Sequence, residues 1–80
     1  MSKRVVIYTT NYCPYCRAAK DLLRVKNVAF EEVDLTHDDP AREKVAALSG
    51  RQTVPQIFVD GRSIGGYDDL VRLVAEGKEL

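Results

Sequence analysis

Apolar and polar residues are arranged in two kinds of segment, one typical of strands and the other of helices, which follow each other along the chain. Short runs rich in β-branched residues predict four strands, and apolar residues spaced three or four apart predict three helices. The predicted strands cover residues 4–9, 29–34, 56–59 and 62–64, and the predicted helices cover 14 to about 26, 40–49 and 67–76. The order β-α-β-α-β-β-α predicts an α/β fold: one four-stranded mixed sheet flanked by three helices. At 80 residues, the chain predicts a single domain, 1–80.

The first strand and helix carry the most definite pattern. The first strand is apolar without alternation, which predicts a central strand buried on both faces. Pro14 suits the first position of a helix, so Cys13 is predicted at or near the N-cap. Helical spacing then places Cys16 on an apolar face, whereas Cys13 approaches the polar face. That polar face carries three basic residues, Arg17, Lys20 and Arg24.

The boundaries of the other two helices follow from capping residues. Asp39 is predicted as the N-cap of the second helix, with Pro40 at its first position and Gly50 at its end. Leu48 falls at helical spacing with the apolar residues of that helix. The last helix follows two glycines and has two acidic residues in its first turn, where they suit the helix dipole.

Composition and charge limit the classes of partner. Twelve basic and twelve acidic residues balance, so the sequence predicts no nucleic-acid partner and no attraction to an anionic membrane. No apolar run approaches the roughly 20 residues that cross a bilayer, and the N-terminus lacks the apolar core of a signal peptide. We therefore expect a cytoplasmic protein. Because that compartment keeps thiols reduced, the composition argues against a permanent disulfide.

Cys13 and Cys16, the two cysteines of the chain, fit a structural disulfide, half of a metal site or a redox couple. A zinc site needs about four ligands, and beyond the cysteines the chain offers only His37 in a charged loop, so no metal is expected. The redox couple is favoured. The helix N-terminus stabilises a thiolate at Cys13, which predicts the attacking sulfur there. Cys16, on the apolar face, is the predicted resolving thiol.

A second group of residues lies far from the cysteines in sequence. Pro55 precedes an apolar strand, where it suits the first strand position or a bulge, and we predict a cis bond between Val54 and Pro55. Such a turn leaves the backbone groups of Val54 free to pair with an extended peptide. An ordinary trans proline is the alternative at this stage.

The glycine pair before the last helix also suggests a binding site. Gly65 and Gly66 resemble a nest that accepts a carboxylate, and Asp68 is able to pair with an ammonium group. A tight turn with Asp68 as a helix cap is the alternative. The two features together suit a ligand with an α-amino acid end.

Three motifs in the same order make the chain resemble the dithiol glutaredoxins over nearly its whole length: C-P-Y-C, T-V-P and G-G-Y-D-D. The resemblance implies a thioredoxin-like fold and a monomeric glutathione-dependent oxidoreductase that reduces protein disulfides and glutathione mixed disulfides. Glutathione is then a co-substrate, with no permanently bound cofactor. The implied catalytic pair is Cys13 and Cys16. The implied glutathione site comprises Tyr15, Gln52, Thr53, Val54, Pro55, Gly66, Tyr67 and Asp68.

One departure from the family pattern concerns the residues before Cys13. Many members carry a lysine there that meets the glycine carboxylate of glutathione, whereas this chain has Thr10, Asn11 and Tyr12. Arg51 or Gln52 is the predicted substitute.

Two other functions fit parts of the sequence. One is a glutaredoxin-like electron donor that a thioredoxin reductase recharges; the γ-glutamyl site implied at Tyr67 and Asp68 argues against it. The other is an iron–sulfur cluster carrier, in which two subunits share a cluster. Pro14 and the second thiol resemble the redox members of the family more than the single-cysteine cluster carriers.

Overall fold

The computed structural model describes residues 3–77. Its four strands form one sheet in the order β2-β1-β3-β4, in which β1 is parallel to β2 and antiparallel to β3, and β3 is antiparallel to β4. The predicted element order and mixed sheet are confirmed. The elements are β1 (Val5–Thr9), α1 (Pro14–Val25), β2 (Glu31–Asp34), α2 (Asp39–Ser49), β3 (Gln56–Val59), β4 (Arg62–Gly65) and α3 (Tyr67–Ala75).

The main core lies between the sheet and two helices, α1 and α3. Alternate residues of β1, Val5 and Ile7, point to this face because successive strand side chains lie on opposite faces. They pack against Leu23 of α1 and Leu70 of α3, and these leucines are fully buried. The core therefore fixes the first turn of α1 above the carboxyl end of β1.

The opposite face of the sheet is less well covered. Among residues 3–77, α2 is the one helix that packs there, over a small cluster of Leu35, Val45 and Phe58. The ring of Tyr8 meets that of Phe58 edge to face at 5.4 Å. Tyr8 is consequently half-buried, as is Val6. The strand is central as predicted, but the prediction that it is buried on both faces is wrong.

The start of α2 differs from the predicted start by one residue. Asp38 is the N-cap, because its carboxylate accepts the Ala41 N–H at 3.1 Å, and Pro40 is the second helical residue. A proline is tolerated there because the first-turn N–H groups of a helix have no intrahelical partner. Gly50 ends the helix with a φ of 76°, as predicted. Leu48 is 61% exposed, since α2 extends beyond the small cluster beneath it.

Candidate active site

The two cysteines lie on the first turn of α1 as free thiols. Cys13 is the N-cap, as predicted, and its Sγ accepts the Cys16 N–H at 3.2 Å. The Cys13 thiol donates to the Val54 carbonyl at 3.6 Å, within the reach of a sulfur donor. Cys13 is partly exposed and Cys16 only 1% exposed. The predicted inward and outward positions of the two sulfurs are confirmed.

The surroundings of Cys16 disfavour its thiolate. Burial, and secondarily the contact with Cys13, raises the pKa of Cys16 to about 12. The backbone N–H of Thr10 and the charge of Lys20 act in the opposite direction but are outweighed. At neutral pH, Cys16 is therefore a thiol.

The loop that faces Cys13 contains the predicted cis bond between Val54 and Pro55. Only one backbone group of Val54 is free: its N–H has no hydrogen-bond partner among residues 3–77, but its carbonyl accepts the Cys13 thiol. The prediction that both backbone groups of Val54 are free is therefore wrong for this structure, in which both cysteines are thiols. The carbonyl points at the sulfur because the loop packs directly against the first turn of α1.

Gln56 holds this loop in place and was not recognised from the sequence. It is 1% exposed, and its amide donates to the carbonyl of Thr53 at 2.9 Å and to the Thr53 hydroxyl at 3.2 Å. These two bonds satisfy the amide nitrogen and tie the side chain to the loop, whereas the amide oxygen has no partner within residues 3–77. The available signal was a polar residue at the start of an apolar strand.

The N-terminus of α3 forms the other side of the site. Asp69, rather than Asp68, caps the helix: its carboxylate accepts the Gly66 N–H at 3.0 Å and Arg51 at 2.8 Å. Both contacts, the Gly66 bond first, hold the pKa of Asp69 below its usual value. Gly65 is required at its position, because its φ is 108° and a Cβ there would overlap the Asp69 carboxylate. The capping by Asp69 leaves Asp68 exposed at the helix start.

The residues predicted to bind glutathione line a groove at Val54, the residue whose carbonyl accepts the Cys13 thiol. Two cavities, of about 290 and 650 Å³, meet at Thr53 and Val54, and we call them together the glutathione groove. Gln52 lies in the larger cavity, toward α2. The rings of Tyr15 and Tyr67 are 5.9 Å apart. All but one of the predicted residues line the smaller cavity: Tyr15, Thr53, Val54, Pro55, Gly66, Tyr67 and Asp68.

A separate cleft lies on the other side of the cysteines. This cleft, which we call the α1 cleft, has a volume of about 540 Å³ between α1 and β2, and both cysteines line it. Within it Lys20 pairs with Glu32 at 2.8 Å, and Glu32 also accepts the Thr9 hydroxyl at 2.7 Å. The contacts with Lys20 and then Thr9 lower the pKa of Glu32. This pair was not predicted, because Lys20 and Glu32 belong to a helix and a strand whose relative position depends on the tertiary fold.

The sheet, the two thiols at a helix start and the cis-proline loop facing them define a thioredoxin-like fold with a dithiol site. The glutaredoxin family profile matches residues 5–64. Glutaredoxin 3 of Escherichia coli strain K12 is 51% identical over 73 residues, which cover 91% of this chain and 88% of that protein.

Solved structures agree with this match. The solution structure of a glutaredoxin from Brucella melitensis has a TM-score of 0.83 at 44% identity, covering 92% of this chain and 80% of that one. A buckwheat glutaredoxin–glutathione complex has a TM-score of 0.87 at 25% identity, covering 95% of this chain and 72% of that one. The chain belongs to the glutaredoxin family.

Membership of the family, with both cysteines present, defines the activity. The chain is a dithiol glutaredoxin-type enzyme, a glutathione-dependent thiol–disulfide oxidoreductase. Neither the thioredoxin-reductase-dependent donor nor the iron–sulfur carrier is favoured. Within residues 3–77, no helix has the length and apolar content needed to span a bilayer.

Proposed function

We propose that Cys13 is the nucleophile and Cys16 the resolving thiol of this enzyme. The observation that carries the proposal is the position of the Cys13 sulfur: it accepts the Cys16 N–H at the start of α1 and faces Val54 in the glutathione groove. N–H donation and the helix dipole stabilise a thiolate there, and the partial exposure of Cys13 admits a substrate disulfide. Cys16 is buried, and the effect of burial on its thiol outweighs that of the Thr10 backbone N–H.

The reaction proceeds by two exchanges of sulfur partners. The Cys13 thiolate attacks a glutathione mixed disulfide at the glutathione sulfur, which breaks the S–S bond and releases the substrate as a thiolate that takes up a proton. A second glutathione, as thiolate, attacks the bound glutathione sulfur and regenerates the Cys13 thiolate, leaving oxidised glutathione. With a protein disulfide, Cys16 resolves the mixed disulfide at Cys13, and two glutathiones then reduce the internal bridge.

Glutathione fits the groove in an extended conformation across Val54. The free N–H of Val54 pairs with the backbone of the glutathione cysteine, which brings its sulfur beside Cys13. The γ-glutamyl end then lies at the start of α3. There the N–H groups after Gly66 suit its carboxylate and the exposed Asp68 suits its ammonium group.

The glycine end of glutathione lies in the larger cavity, toward α2. Of the two predicted substitutes for the missing lysine, Arg51 is paired with Asp69 at the γ-glutamyl end, so Gln52 is the better placed. Arg42 lines the same cavity and forms no ion pair with another residue of 3–77. It supplies the positive charge that a terminal carboxylate requires. Arg42 was not predicted as a binding residue, because the charged residues of this helix were assigned to an exposed face.

The remaining partners are glutathionylated and disulfide-containing proteins, which reach the exposed side of Cys13. We propose that the enzyme acts as a monomer in the cytoplasm, where the glutathione pool maintains a dithiol. Glutathione is its co-substrate, and the reaction described requires no permanently bound cofactor.

A glutathione-coupled reduction assay on the wild type, Cys13→Ser and Cys16→Ser tests the roles. Cys13→Ser is expected to abolish activity on every substrate. Cys16→Ser is expected to keep the removal of glutathione from mixed disulfides, since that route needs one thiol only. Activity that survives in Cys13→Ser would show that the roles are wrongly assigned.

A further inference from the structure

The α1 cleft contains charged groups that the reaction described above does not use. Four of them line it together with the cysteines: Arg17 and Lys20 from α1, and Glu32 and Asp34 from β2. Arg17 is exposed, and the Asp34 carboxylate accepts the Thr36 N–H at 2.8 Å. Lys20 is the best shielded of the four, with its side chain 22% exposed against 36% for that of Glu32.

The position of the Lys20 ammonium is fixed from the sheet. It pairs with Glu32 Oε2 at 2.8 Å, and the same oxygen accepts the hydroxyl of the buried Thr9 at 2.7 Å. A partly shielded ion pair held by a third group keeps its geometry better than an exposed pair, because fewer rotamers compete with it. Lys20 therefore presents a fixed positive charge to the cleft that Cys16 lines.

A nearby positive charge would assist Cys16 at one step, its attack on the mixed disulfide at Cys13. To resolve a mixed disulfide at Cys13 it must become a thiolate, although it is 1% exposed and burial opposes ionisation. Thr10 and Lys20 line the cleft together with Cys16, and the backbone of Thr10 and the charge of Lys20 both favour its charged form. Cys13 needs neither, because it lies at the helix N-terminus and is partly exposed.

We propose that Lys20, held by Glu32, is a positioning residue that acts on Cys16 and promotes the two-cysteine reaction only. The proposal rests on the proposed roles of the two cysteines. In the step concerned, Cys16 gives its proton to solvent in the cleft and its thiolate attacks the Cys13 sulfur of the mixed disulfide. The bond between Cys13 and the substrate sulfur breaks, and the substrate leaves as a thiolate. The two cysteines are oxidised to a disulfide and the substrate is reduced.

Attack by Cys13 and attack by Cys16 are measured separately in one rapid-mixing experiment. The reduced protein is mixed with an equimolar amount of dithiobis(nitrobenzoate), an aromatic disulfide. Attack by Cys13 releases a first yellow thionitrobenzoate at a rate that depends on concentration. Attack by Cys16 on the mixed disulfide releases the second at a rate that does not. Both rates are measured against pH in the wild type, Lys20→Gln and Glu32→Gln. Arg24→Gln, which removes an exposed charge elsewhere on α1, is the matched control.

The two variants are expected to shift the second release in opposite directions. Lys20→Gln leaves an uncompensated carboxylate, so the second release slows about three- to tenfold at neutral pH and its pH midpoint rises. Glu32→Gln removes the carboxylate that pairs with the ammonium group, so the second release accelerates and its midpoint falls. The first release stays unchanged in both variants, and Arg24→Gln changes neither release.

Three results would overturn the inference: an unchanged second release in both variants, a change in the same direction in both, or an equal change in the first release. A same-direction change would assign the pair a purely structural role. Should Lys20→Gln not fold, the acceleration expected in Glu32→Gln still decides the question.

The Cys13→Ser variant separates the two proposals. If the rapid first release survives that variant, the cysteine roles fail; if it is lost while the pair variants have no effect, only the role of Lys20 fails.

Discussion

The two sides of the first turn of α1 serve the two sulfurs differently. On the side of the glutathione groove, the Cys13 thiol contacts the carbonyl of Val54, and Val54 lines a cavity that also contains the exposed carboxylate of Asp68. On the side of the α1 cleft, Cys16 is buried beside a fixed ion pair. One helical turn thus separates a sulfur suited to substrate recognition from a sulfur suited to product release. The motif C-P-Y-C places Cys13 at the helix start, and the elements packed around the helix bury Cys16.

The largest effect on the groove side alone is expected from Asp68→Asn. Loss of the carboxylate removes a charge-assisted contact with the γ-glutamyl ammonium group, so KM for a glutathione mixed disulfide rises about tenfold. The second thionitrobenzoate release, which belongs to the cleft side, stays unchanged. Glu76→Gln, which removes an exposed charge just beyond the other end of α3, is the control. An unchanged KM in Asp68→Asn would mean that the ligand does not reach this helix start.

A smaller effect, on stability, is expected from Asp69→Asn. The wild-type carboxylate caps α3, so the variant lowers the free energy of unfolding by about 1 kcal/mol at neutral pH. Because folding lowers the pKa of Asp69, this contribution is present above the ordinary carboxyl value of 3.8 and is lost as pH falls through the lower folded value. Denaturant unfolding at neutral pH and at about pH 2 checks the sign.

Arg51→Gln is the matched variant for that prediction. It removes only the partly exposed ion pair with Asp69 and keeps the bond to the Gly66 N–H, so we expect a loss of about 0.5 kcal/mol or less. A difference between the wild type and Asp69→Asn that stays constant down to acidic pH would contradict the charged cap. A larger loss in Arg51→Gln than in Asp69→Asn would contradict it as well.

Local signals in the sequence predicted most of the fold. Apolar periodicity and proline positions are properties of short segments, so the element order and the N-cap at Cys13 followed from them. The N-cap of α2 was predicted one residue too late, because Asp38 and Asp39 both precede Pro40 and either residue is a suitable cap. Only the contact between Asp38 and the Ala41 N–H decides between them.

Long-range contacts were beyond the reach of sequence reasoning. The exposure of Leu48 depends on how far α2 extends over a small cluster, and periodicity carries no information about that. The pair formed by Lys20 and Glu32 depends on where β2 lies beside α1. Family motifs predict the ligand side of this site, whereas the groups that we propose to act on Cys16 come together only through three-dimensional packing.

The asymmetry of the two cysteines is tested most directly by alkylation of the reduced protein with iodoacetamide over a range of pH, with the modified residue located by mass spectrometry. Since only a thiolate reacts and the pKa of Cys16 is about 12, Cys16 should react at least about a hundredfold more slowly than Cys13 at neutral pH. Its modification should become appreciable only in strongly alkaline solution. Equal rates at neutral pH, or faster modification of Cys16, would contradict the account.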